Sequence, residues 1–251
     1  MRYAALIACL ATPVFAQDVF VLGEIHDNPA HHLEQAARVA VIEPAALVFE
    51  MLSPEQAAGA AGVDFADKAA LEEALGWAET SWPDFDLYYP IFASAPADVA
   101  IYGAALPQEI VRAAVTEGAE TLLSGSGEAF LRPVDAEEQA QREDLQHAAH
   151  CEALPAELLP GMVEAQRLRD AAFARVVAQA FEDTGGPVVM ITGNGHARKD
   201  WGVPAVLAYA RPGLEVFALG QVEDGTEPDA PYDEVTSAPP TERPDPCAAF
   251  R

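Results

Sequence analysis

Four side chains in this sequence have the types and the placement to do chemistry together. They are Glu24 and His26 in Gly23-Glu24-Ile25-His26, Glu50 at the end of ALVFE, and His196 in Gly193-Asn194-Gly195-His196. A carboxylate and an imidazole two residues apart project to the same side of an extended chain. Two carboxylates and two imidazoles converging on one rim suit a cationic, neutral or metal-centred ligand. Each residue taken alone has an ordinary use: Glu24 as a helix cap, His26 as a turn residue, Glu50 as a solvated strand end. Polar groups that close three separate apolar runs are costly to bury without partners, so the grouping favours a functional rim.

Several chemistries are missing from that rim. Gly193-x-Gly195 lacks the third glycine of a dinucleotide fingerprint, because position 198 is arginine. The sequence has no phosphate loop, no HExxH, no nucleophile elbow and no CxxCH for covalent haem.

The elements that must position these residues are an alternating series. Residues 18–23 (DVFVLG), 46–50 (ALVFE), 99–103 (VAIYG), 187–193 (PVVMITG) and 214–219 (LEVFAL) read as strands. They are nearly continuous apolar runs, as parallel strands covered on both faces should be. Asn28-Pro29 opens a helix with a cap and an N1 proline, Ser53-Pro54-Glu55-Gln56 is a capping box, and a third helix follows Pro107. The predicted fold is α/β, a mainly parallel sheet flanked by helices. Ligands of such sheets bind outside the carboxyl ends of the strands, where these residues fall. Two insertions, at 64–96 and 128–184, interrupt the alternation. The first carries Trp77, Trp82, Phe85, Tyr88, Tyr89 and Phe92. Together they are expected to form a helical cap beside the sheet. The α/β domain is placed at 17–236, with 232–236 as an edge strand, and 237–251 reads as an irregular acidic, proline-rich tail.

The composition narrows the partners. The 251 residues carry 40 Asp plus Glu against 14 Lys plus Arg, a formal charge of -26, which excludes a nucleic-acid partner. Half the chain is hydrophobic (51%), so a sizeable core is available. No apolar run reaches the roughly 18 residues of a spanning helix, so the mature chain is expected to be soluble. Residues 1–16, ending in Val14-Phe15-Ala16, read as a signal peptide cleaved before Gln17, with periplasmic export as the consequence. Leu6-Ile7-Ala8-Cys9 offers the alternative of a lipoprotein anchored at Cys9. Removal of the leader leaves Cys151 and Cys247, an even pair expected to bond in an oxidising compartment.

Five segments taken together resemble a known family. GEIHDNPAHH at 23–32, Phe49-Glu50-Met51, WPDFDLYYP at 82–90, EAQRLRDAAFA at 164–174 and ITGNGHARKDWGVP at 191–204 are similar to the ChaN family of haem-binding uptake proteins. That family is grouped with Tiki and TraB proteins and the erythromycin esterases. The resemblance runs from about Asp18 to Thr236. It implies a non-covalently bound haem, a role in iron uptake with an outer-membrane system, a possible homodimer, and tyrosine ligation of the iron with histidine assisting. Carried over by position, Glu24, His26 and His31 match the first motif, Glu50 the second, and Gln166 with Asp170, four apart on one helix face, a Q-x-x-x-D pattern. His196 and Arg198 match the last motif, and Tyr88 the tyrosine expected to ligate iron. Packed core is the ordinary role of Tyr88 and its aromatic neighbours. Where relatives often carry Asn-x-Pro-Arg after the third strand, this chain has Ala105-Leu106-Pro107-Gln108. The superfamily's other implication is a metal-dependent hydrolase in which Glu24, His26, Glu50 and His196 ligate Mn or Zn and activate a bound water.

Overall fold

The computed structural model describes residues 17–123 and 125–248. The signal peptide at 1–16 and the alternative anchor at Cys9 lie outside them. The strands are β1 (Val19–Glu24), β2 (Ala46–Phe49), β3 (Ala100–Gly103), β4 (Val188–Gly193), β5 (Val216–Glu223) and β6 (Glu234–Ala238). They form one sheet in the order β3-β2-β4-β1-β5-β6, every pair parallel. β5 runs further than its apolar core suggests, through Gly220-Gln221-Val222-Glu223, because β6 pairs with that extension.

The helices are α1 (Pro29–Ile42), α2 (Pro54–Gly59), α3 (Lys68–Ala74), α4 (Phe85–Ala93), α5 (Gln108–Glu117), α6 (Ala119–Leu122), α7 (Ala136–Ala149), α8 (Leu159–Thr184), α9 (Asn194–Ala197) and α10 (Val203–Ala210). Local chemistry starts them as the sequence suggests. Asn28 accepts from the Ala30 N–H at the head of α1, and Ser53 and Gln56 form a reciprocal capping box on α2.

Alternate residues of each strand feed two cores. Phe20, Leu22, Leu47, Phe49, Val189 and Ile191 face α1 and α4, where Phe92 stacks on Phe49 with centroids 4.5 Å apart. Val19, Val21, Val48, Val188 and Met190 face the side covered by α8 and α10. The insertions therefore contribute α4 and α8 to the two helical layers, as well as the outer helix α7. Among the described residues, no helix is long and apolar enough to cross a membrane.

This topology makes the crevice. β1 and β4 lie side by side at the centre, and their onward connections leave to opposite sides, toward β2 and β5. A crevice opens at the carboxyl ends of such a pair, the switch point of an open parallel sheet. Register then sets the rim: Glu24 pairs with Gly193, and the Glu50 N–H donates to Ile191 O. Gly23 admits no side chain, because a Cβ there would meet Asn194 Oδ1 at 2.5 Å and Leu219 O at 2.7 Å.

The tail is tied down rather than loose. Cys151 and Cys247 form a disulfide with Cα atoms 5.4 Å apart. Arg243 pairs with both Asp27 and Glu223, and Asn28 Nδ2 donates to Pro239 O.

Candidate functional site

A cleft of about 580 Å³ opens at the carboxyl ends of β1, β2 and β4. The strand ends supply Glu24, His26, Glu50 and Gly193, while α9 and the turn after it supply His196, Arg198 and Trp201. α8 contributes Gln166, Arg169 and Asp170, α7 contributes Arg142 and Gln146, and Trp82 comes from the first insertion.

One side of the cleft is built on Glu24, a buried carboxylate. Its Oε1 takes a bond from His26 Nδ1 at 2.7 Å and another from the Tyr88 hydroxyl at 2.8 Å. Its Oε2 faces His32 Nδ1 at 3.4 Å, and neither atom has a hydrogen-bond partner. His32 Nε2 donates to the His26 carbonyl at 2.9 Å, which fixes the turn carrying His26. Burial would raise the Glu24 carboxyl, but His26 and His32 beside it outweigh that cost and hold the group below its ordinary value. Burial would likewise lower His26, yet the hydrogen bond and charge of Glu24 leave it raised. Because Nδ1–H donates to the carboxylate, neutral His26 presents a bare Nε2. That nitrogen stands over Gly193: a Cβ there would lie 2.9 Å from it. The His26 ring packs edge-on against Trp82, with centroids 4.8 Å apart.

The other side is built on Glu50 and Asp170. Glu50 Oε2 accepts from Thr192 Oγ1 at 2.5 Å and from the Gly193 N–H at 2.8 Å, and Oε1 pairs with Arg169. Burial opposes ionisation there, but His196, Arg169 and His26 nearby bring the carboxyl down to about 2. His196 Nδ1 bonds Asp170 Oδ1 at 2.6 Å, so a second carboxylate-backed imidazole faces the same cleft, with Nε2 3.8 Å from Glu50 Oε1. Three guanidinium groups line the space: Arg169, Arg142 on Asp170 at 3.4 Å, and Arg198 stacked 3.7 Å over Trp201 and paired with Asp200.

The sequence matches the family described as "Haem-binding uptake, Tiki superfamily, ChaN" over residues 10–207. The chain belongs to that family. Among solved structures, "Cofacial heme binding to ChaN of Campylobacter jejuni" superposes with a TM-score of 0.63 at 19% identity, covering 84% of each chain. "The structure of the type III effector HopBA1" follows at 0.43 and 13%, covering 89% of this chain and 88% of that one. No curated protein matches the sequence.

The structure brings together Glu24, His26, Glu50, Gln166, Asp170, His196 and Arg198 in the lining of one cleft. Two residues assigned to the site by resemblance stand elsewhere. Tyr88 is fully buried between His32 and Trp77, and its hydroxyl donates a hydrogen bond to Glu24. Burial first, and then the Glu24 charge, push that phenol far up, the opposite of what phenolate ligation of iron needs. Tyr88 is placed as a core residue that orients Glu24. His31 is also fully buried and faces away from the cleft. Its Nδ1 accepts from the Ile25 N–H at 2.9 Å, and its Nε2 reaches Val222 O at 3.4 Å, a brace between the first motif and β5. The expected metal set of Glu24, His26, Glu50 and His196 is not assembled as one: among the described residues, no group of three or more His, Cys, Asp or Glu is arranged to hold a metal ion. The Glu50 oxygens are taken by Arg169, Thr192 and the Gly193 N–H instead. Gln108 is exposed at the start of α5 and does not line the cleft, so the departure from Asn-x-Pro-Arg falls outside it.

Sequence reasoning passed over His32, Arg142, Arg169 and Trp201. Arg169 had a signal: Gln166, Arg169, Asp170 and Phe173 follow the i, i+3, i+4, i+7 spacing of one helix face. Arg142 had none, because only the packing of α7 on α8 brings it to Asp170.

Proposed function

We propose that this protein is an exported haem-binding protein of haem and iron uptake, and that the cleft at the carboxyl ends of β1, β2 and β4 holds the haem. The observation that carries the reading is His26. Its Nδ1–H donates to a buried carboxylate, which leaves Nε2 as the free nitrogen of a ring that lines the cleft beside Gly193. A carboxylate behind a histidine fixes its tautomer and raises its basicity as a ligand, the arrangement that supports iron coordination through Nε2. His26 is the residue that would ligate the iron, with Glu24 orienting it and Tyr88 fixing Glu24.

The rest of the cleft suits a planar, carboxylate-bearing macrocycle. Trp82 and Trp201 offer aromatic surface, while Arg142, Arg169 and Arg198 offer charge for propionate groups. Each of these arginines is paired with a carboxylate of the chain, Arg142 with Glu138 and Asp170, Arg169 with Glu50 and Arg198 with Asp200, so a propionate would share that partner's cation. His196, backed by Asp170, faces the same space from the opposite side. Export through a signal peptide at 1–16, periplasmic residence, an outer-membrane partner and a homodimer belong to the same proposal.

Titration of the purified full chain with ferric haem tests it. The wild type is expected to develop a Soret band with saturation, His26→Ala to lose or shift it strongly, and Tyr88→Phe to keep it. If His26→Ala binds with an unchanged spectrum while Tyr88→Phe does not, the ligand is the phenolate and the assignment is overturned. If the wild type gives no Soret band, the haem reading falls.

A further inference from the structure

The wall of the cleft formed by α7 is weakly held by its own packing. Arg142 is its one buried residue, tied across to α8 by the bond to Asp170. The helix buries no apolar side chain, so little hydrophobic energy fixes it in place. At its carboxyl end the chain turns through Cys151 and Glu152, both left-handed at φ 60 and φ 57. That turn is normally given to glycine, because a Cβ crowds the following carbonyl.

The same turn carries one end of the disulfide. Its other end, Cys247, lies four residues beyond Arg243, which is bonded to Asp27 and Glu223. Asp27 follows His26, and Cys151 lies two residues past Ala149, so the segment from Arg243 to Cys247 joins the two walls of the cleft. Both cysteines are partly exposed, within reach of a small thiol.

We propose that the Cys151–Cys247 bond is a redox-sensitive latch that holds α7 closed against the cleft. The reductant is a dithiol. One of its thiolates attacks a sulfur of the bridge, forming a mixed disulfide and releasing the other cysteine, which takes a proton. Its second thiol displaces the first cysteine and closes a cyclic disulfide. Two electrons and two protons pass to the protein, leaving two free thiols. The left-handed turn is then free to relax, and the side-chain ties left on α7 are Arg142 to Asp170 and Glu138 to Arg132. The motion follows from the geometry alone, whereas the cargo it releases rests on the haem reading above.

Hydrogen–deuterium exchange on the full chain separates the two. Exchange is followed in the oxidised protein, in the dithiothreitol-reduced protein with its thiols alkylated, and in Cys151→Ser/Cys247→Ser. Amides of 136–149 are expected to exchange about tenfold faster once the bond is gone, with β1 and β4 unchanged. Arg243→Ala, which loosens the far end of the strap with the disulfide intact, is expected to shift the same amides in the same direction. Haemin transfer to excess apomyoglobin is expected to quicken in parallel. Identical α7 exchange in oxidised and reduced protein would overturn the latch. Faster exchange throughout β1 and β4 would also overturn it, showing a staple of the whole fold. Loosened α7 in a protein that binds haemin in neither state would leave the latch standing and remove the haem reading.

Discussion

Glu50→Gln exposes how much of the cleft's order rests on a buried charge. The Glu50 carboxyl is brought from an ordinary 4.5 to about 2 by the facing cations and the Thr192 hydroxyl, against the cost of burial. A group depressed in the fold contributes stability that is complete above its unfolded value and is lost as pH falls toward its folded one. At roughly 1.4 kcal/mol per unit, the contribution is roughly 3 kcal/mol at pH 6, of which about 2 kcal/mol is gone by pH 3. Glutamine cannot ionise and makes no such contribution at any pH. The stability gap between wild type and Glu50→Gln, read from urea unfolding by circular dichroism, is therefore expected to narrow by about 2 kcal/mol between pH 6 and pH 3. Glu24, Asp27, Glu223 and Glu234 are also held below their ordinary values, so both proteins weaken in acid. The difference between the two proteins largely isolates Glu50. A gap that stays constant over this range would mean that Glu50 is neutral in the fold and that its network with Arg169 and His196 is not formed.

Gly193→Ala is expected to keep the backbone, since φ at Gly193 is -66, yet to lose haem binding because its methyl would meet His26 Nε2 at 2.9 Å and displace the ring. An unchanged Soret titration would refute the position assigned to the ligand. Tyr88→Phe removes a hydrogen bond to a buried carboxylate, so a loss of about 1–3 kcal/mol is expected in chemical unfolding at neutral pH; no loss would place the hydroxyl elsewhere. His26 is held above its ordinary value, so it becomes an imidazolium at higher pH than free histidine and cannot then ligate. Haem affinity should fall as pH drops through 7 toward 5, and a flat profile would point to another ligand. On the latch reading, reducing the disulfide frees α7 and the tail alone, so global urea unfolding with and without dithiothreitol is expected to differ by far less than the roughly 4–5 kcal/mol that closing a loop of sequence separation 96 could contribute; a loss of that full size would mean that the bond staples the whole fold.

Strands, caps and the class of fold are local or periodic properties, which is why they could be read from the chain. Apolar runs such as VFVLG and PVVMITG are buried on both faces wherever they lie in a parallel sheet, and Asn28 and Ser53 cap with atoms a few residues away. The convergence of Glu24, Glu50 and His196 followed too, because carboxyl ends of parallel strands share one edge. Strand order and side-chain direction were decided elsewhere. Tyr88 sits in a motif with the right letters, but α4 packs that face onto α1 and the sheet, turning the phenol inward to Glu24. His31 and His32 are adjacent in sequence, yet 100° apart around a helix; one braces β5 and the other faces Glu24. Arg142 and Arg169 reach the cleft only because α7 lies on α8 and α8 lies on the sheet. No pattern within either helix encodes that docking: it is set by how well two distant surfaces fit, a property of the whole packed chain.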